Sequence, residues 1–93
     1  MNRLVLTASL VERGATRYTP AGLPAVDLRL THQSTVTEDG KPRQVSLEMR
    51  AVAIGEVTRP VLALGLGAPV SFTGFLTAAR NGKGLVFHVT EVA

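Results

Sequence analysis

The sequence predicts an all-β domain, five antiparallel strands closed into a Greek-key barrel. Three observations carry that prediction. Segments of alternating polar and apolar residues recur along the chain, the period-two pattern of strands with one buried face. Turn signals built on Gly, Pro and Asn separate most of them. No segment sustains a helical period, and 93 residues suit a single domain, 1–93, with a modest core and no deep cleft between lobes.

Residues 2–11 form the first expected strand, with Leu4, Leu6, Ala8 and Leu10 on one face and Val5 and Val11 on the other. A strand apolar on both faces lies between two layers or meets a partner chain. Residues 12–22 are a turn region closed by Thr19-Pro20-Ala21-Gly22. The second strand spans residues 23–32, Val26, Leu28 and Leu30 inward, Asp27, Arg29 and Thr31 outward. Residues 33–42 are polar and read as a long loop. The third strand runs over 43–54, with Val45, Leu47, Met49 and Ala51 on one face and Ser46, Glu48 and Arg50 on the other. Residues 55–67 read as a loop plugging one barrel end, with a single helical turn near Thr58 and Pro60.

The last third, residues 69–92, organises the rest. Val70 and Phe72 alternate with Ser71 and Thr73, and Gly74 marks a bulge or sharp bend. Arg80-Asn81-Gly82-Lys83-Gly84 supplies a hairpin turn, and residues 85–92 return as the fifth strand. A bent hairpin tipped with cations suits a small barrel that grips something negative. The five-stranded Greek-key barrel known as the OB-fold fits best, and an SH3-like barrel is the rival. Its expected core is Leu4, Leu6, Leu28, Leu30, Leu47, Val70, Phe72 and Phe87.

Composition narrows the function. With 45% hydrophobic and 18% charged residues the chain is globular. The absence of cysteine excludes disulfides, thiolate metal sites and cysteine nucleophiles. No signal peptide is expected, and residues 60–70 are too short and too rich in Gly and Pro to span a bilayer. A net charge of +3 favours an anionic partner. His32 and His88 lack further ligands at metal spacing, so they read as strand-end histidines, and no metal or cofactor is expected. Asp27 and Glu48 are outward on neighbouring strands, yet no pocket is indicated around them. No catalytic or phosphate-loop motif occurs, and a non-enzymatic protein is expected.

Asn2-Arg3-Leu4-Val5-Leu6, Thr19-Pro20-Ala21-Gly22-Leu23-Pro24, Leu30-Thr31-His32-Gln33-Ser34, Arg43-Gln44, Met49, Val70-Ser71-Phe72-Thr73-Gly74-Phe75 and Asn81-Gly82 occur in an informative order. Together they resemble the primosomal replication protein N (PriB) family, relatives of bacterial single-stranded DNA-binding proteins. The resemblance covers nearly the whole chain. It implies a cytoplasmic homodimer of OB-folds that binds single-stranded DNA and contacts the primosomal helicase and other primosome proteins.

This chain departs from that family where aromatic side chains near the start of the third strand stack on bases. Lys41 and Ser46 stand there instead. There is no Trp, and alternation assigns Phe72 and Phe87 to the core, leaving Tyr18, then Phe75, for a ligand. Stacking contributes about 1–3 kcal/mol per base, so weak DNA binding through cations is expected. The candidate nucleic-acid contacts are Arg13, Arg17, Tyr18, Arg29, Lys41, Arg43, Ser46, Arg50, Arg80 and Lys83. Arg43, Arg80 and Lys83 are the main phosphate contacts expected. The alternative is a protein-interaction module on the same fold, with incidental DNA contact.

Overall fold

A computed structural model describes all 93 residues, Met1–Ala93. Its elements are β1 (Leu4–Arg13), β2 (Arg17–Tyr18), β3 (Pro24–Glu38), β4 (Lys41–Ile54), a 3-10 turn at Gly55–Val57 leading into α1 (Thr58–Leu62), β5 (Pro69–Ala78) and β6 (Leu85–Val92). Five strands close a barrel in the order β1-β5-β6-β4-β3, with β3 returning to β1. The two residues of β2 continue the β1 side of β3. Every pairing is antiparallel except β4 with β6, where residues 50–53 run beside 86–89 in the same direction. A parallel pair needs a crossover, and α1 with β5 supplies it.

β1 serves two neighbours. Residues 4–9 pair with β5 and residues 9–13 with β3, the register shifting between Leu10 and Glu12. The inserted residue is Val11, which the bulge leaves exposed. At its start the side chain of Asn2 replaces a rung of backbone. Its Nδ2 donates to the Leu76 carbonyl at 2.6 Å, and the Leu76 amide donates to its Oδ1 at 3.0 Å.

Phe72, Phe87, Leu10, Leu30, Val26 and Val61 are each less than 2% exposed and form the centre of the barrel. Val61 comes from α1, so the expected plug with one helical turn is present. Arg13 secures it, its Nη1 donating to the carbonyls of Val61 at 3.2 Å and Leu64 at 2.8 Å. The Val61 carbonyl also accepts from the Leu64 amide at 3.2 Å, and Leu64 lies just past the end of α1, so the arginine ties the helical turn and its exit to β1. Of the other expected core residues, Leu28 is buried, while Leu4, Leu6 and Val70 pack half-buried against the core.

Leu47 departs from that expectation and is 38% exposed. It lies opposite His32, one residue beyond the last β1–β3 pair at Ser9 and Thr31. The alternation continues there, but the facing wall of the barrel has ended.

The expected loop over 33–42 is also corrected. β3 and β4 stay paired in register to Glu38 and Lys41, forming a ribbon closed by Asp39-Gly40. Both turn residues have positive φ, 51° and 74°, the geometry of a tight type I′ hairpin that Asp-Gly favours. Thr35, Val36 and Thr37 are β-branched and hold an extended backbone despite their polar setting. The molecule is accordingly elongated, 49 × 30 × 21 Å.

Gly74 is a bulge, as expected, with the β5–β6 register shifting between it and Thr73. Any Cβ here would overlap the His88 carbonyl oxygen and press on the Phe87 ring at 2.9 Å. No helix in the molecule is long and apolar enough to cross a membrane.

Candidate nucleic-acid interface

The outward face of β3, β4, β6 and β5 is built by strand register. One row across the strands is Arg29, Arg50, Val86 and Thr77, and the next is Asp27, Val52, His88 and Phe75. Two loops rise beside these rows and make a shallow groove. On one side stands the β2 turn with Arg17, Tyr18, Thr19 and Pro20; on the other stands the β5–β6 tip with Ala79 and Arg80.

Local sequence fixes both walls. In the β2 turn the Leu23 amide donates to Thr19 Oγ1 at 3.2 Å, and Gly22, at φ +85°, donates its amide to the Thr19 carbonyl at 2.8 Å. This holds Tyr18 up with 70% of its surface exposed. At the tip, the Gly82 amide donates to Ala79 O at 2.8 Å and the Lys83 amide to Asn81 Oδ1 at 2.9 Å. Gly82 and Gly84 both take positive φ, which Asn-Gly and Lys-Gly steps permit.

Charge pairing sorts the cations. Arg17 grips Asp27 with two hydrogen bonds, Nε to Oδ2 at 2.8 Å and Nη2 to Oδ1 at 3.0 Å. That hydrogen bonding, more than simple charge proximity, raises the pKa of Arg17 and lowers that of Asp27, with burial of the carboxyl opposing. Arg29 lies between Glu12 at 3.6 Å and Glu48 at 3.7 Å. Arg43 is bound to Glu38 at 2.7 Å. Arg50, Arg80, Lys83 and Lys41 form no ion pair.

Of the ten residues expected at the interface, Arg17, Tyr18, Arg50 and Arg80 line the groove together. Arg29 and Lys83 meet Arg50 in an adjoining depression. Lys41 and Arg43 sit apart on the ribbon, and Ser46 lies on its stem opposite Gln33. Arg13 is turned inward onto α1, its guanidinium occupied by backbone carbonyls. Asp27 and Glu48 form no carboxylate pair: Asp27 faces Val52 and Glu48 faces Thr31, each held by a different arginine.

Sequence reasoning missed His88. It lines the groove and stacks on Phe75, ring centroids 4.9 Å apart and planes 13° from parallel. His32 is elsewhere, its Nδ1 2.6 Å from the Thr7 carbonyl and its Nε2 2.8 Å from Ser34 Oγ. Alternation from buried Phe87 was the available signal for His88. Its neighbour across the sheet depended on the Gly74 bulge.

The chain matches, over residues 2–91, the model of a family described as another single-strand binding protein family. It is 48% identical over 81 residues to the replication restart protein PriB of Bordetella pertussis, covering 87% of this chain and 76% of that protein. It is 33% identical over 91 residues to PriB of Nitrosomonas europaea, covering 97% and 84%. Among solved structures, PriB from Ralstonia solanacearum superposes with a TM-score of 0.89 at 38% identity, covering 100% of this chain and 96% of that one. The single-stranded DNA-binding protein from Thermus aquaticus gives 0.74 at 25% identity, with 100% of this chain matching 49% of that one.

Proposed function

We propose a function from one premise: the chain belongs to the replication restart PriB family, within the single-strand binding proteins. It is a non-enzymatic single-stranded DNA-binding protein of replication restart, working in the cytoplasm. The strand lies across the outward face of β3, β4 and β6, between the Tyr18 turn and the Arg80 tip. One observation carries this reading. Arg50 and Arg80 line an open groove without an ion pair and Lys83 is equally unpaired in the depression beside it, while the acids there, Asp27 and Glu48, are held by Arg17 and Arg29. Such cations bind phosphates and release counterions. Tyr18 is the only tyrosine and tryptophan is absent, so intrinsic fluorescence reports on one groove residue. Titration with a single-stranded oligonucleotide should change that emission, and a duplex of equal length should compete poorly. Equal binding of both would refute the reading.

The protein acts as a homodimer in this proposal. The β3-facing edge of residues 4–8 in β1 has no strand beside it, and Val5 is 55% exposed. Pairing across a twofold axis would cover both features.

A contact with the primosomal helicase completes the proposal, and the ribbon favours it. Its Arg43 is neutralised by Glu38, and Val36 is 44% exposed, a surface better matched to a protein than to phosphates. Val36→Glu should weaken capture of the helicase and leave oligonucleotide binding intact. Loss of DNA binding with unchanged helicase capture would reverse the assignment.

A further inference from the structure

The groove holds a flat surface that cation–phosphate contacts leave unused. His88 is half-buried and outward on β6, and Phe75 of β5 stacks against one face of its imidazole. Phe75 itself is 38% exposed and does not line the groove. His88 does, together with Tyr18, Val52 and Arg80, so Phe75 backs the imidazole from outside. The ring nitrogens of His88 make no hydrogen bond within the protein, whereas both of those in His32 are engaged. The geometry is also fixed. The Gly74 bulge sets Phe75 opposite His88, and backbone packing there leaves no room for a Cβ.

We propose that the Phe75-backed imidazole of His88 is a stacking platform for one unpaired nucleobase of the bound strand. This rests on the single-strand reading above and adds to it a base contact. Phe75 holds the imidazole upright, and His88 presents its other face and its free nitrogens to the base. An aromatic face accepts any base, so the platform adds affinity with little sequence preference.

The test compares an oligo-dT of about 16 nucleotides, the upper range for one OB-fold, with an abasic strand of the same length. Wild-type protein should bind oligo-dT about 5- to 150-fold more tightly than the abasic strand, the range for one stacked base. His88→Ala should remove most of that difference while abasic binding stays unchanged. His88→Phe, which keeps a flat ring, should restore it, and Phe75→Leu should give a partial loss. Wild-type binding equal for both strands would overturn the platform and leave the cationic groove standing. Unchanged oligo-dT binding in His88→Ala would do the same, as would equal weakening on both strands. Failure of wild-type protein to bind either strand would bring down the single-strand reading and the platform with it.

Discussion

Replacing Arg80 and Lys83 together with Ala removes two of the three unpaired cations in the groove and the depression beside it. The magnitude follows from the charge pairing. Arg17, Arg29 and Arg43 are engaged by Asp27, by Glu12 and Glu48, and by Glu38. Arg50, Arg80 and Lys83 form no ion pair and are the cations proposed to meet phosphate, with Arg50 in place of the Arg43 that the sequence suggested. Each phosphate neutralised on a single strand contributes about 0.7 to the log–log salt slope. Three contacts give a slope of about −2.1 per protomer, and the double variant retains about −0.7. Between about 50 and 200 mM salt, wild-type affinity per protomer should fall about 18-fold and that of the variant about 2.6-fold. Fluorescence anisotropy of a labelled oligonucleotide across a salt series measures both slopes. An unchanged slope in the variant would show that the tip does not meet phosphate, and a flat wild-type slope would refute the cationic groove.

Three further perturbations test other parts of the account. Phe72→Ala removes a ring with 0% exposure and should cost about 3–5 kcal/mol in denaturant unfolding; a loss under about 1 kcal/mol would contradict its place at the barrel centre. Val5→Lys places charge on the exposed side of β1 and should shift the sedimenting species from dimer to monomer, whereas a wild-type monomer at every concentration would rule out the dimer. Asp27→Asn should free Arg17 for phosphate and steepen the salt slope by about 0.7 per protomer. The same variant tests a pH effect. Arg17 lowers the folded-state pKa of Asp27, so the pair stabilises the fold above the ordinary aspartate range near about 4 and ceases to do so as pH falls through the lowered value. Asp27→Asn should lack that acid-side loss, a small one because the pair is solvent-exposed. Identical acid unfolding profiles for variant and wild type would show the pair to be energetically silent.

Strand period and turn chemistry alone specify the β class and most of the inward faces. Alternation around Val26, Leu28 and Leu30 and around Phe72 and Phe87 assigns each residue to a face, because side chains in a strand must alternate. Gly74 and Asn81-Gly82 likewise announce a bulge and a turn, since few other residues tolerate the local backbone. Asp39-Gly40 carries a hairpin signal for the ribbon as well, although the polar composition of residues 33–42 reads as a loop. Tertiary structure decided what alternation does not encode: where the barrel wall ends and which residues meet across strands. Leu47 repeats the inward pattern and is exposed because β1 has already left β3. Arg13 and Arg80 are alike as loop cations in sequence, yet one donates to the Val61 and Leu64 carbonyls and the other stands exposed at the tip. Asp27 disarms Arg17 only because the β2 turn folds back along β3, and His88 meets Phe75 only because a one-residue bulge sets their register. Faces follow from the period of a single strand, whereas partners follow from the pairing of distant ones, which no local pattern fixes.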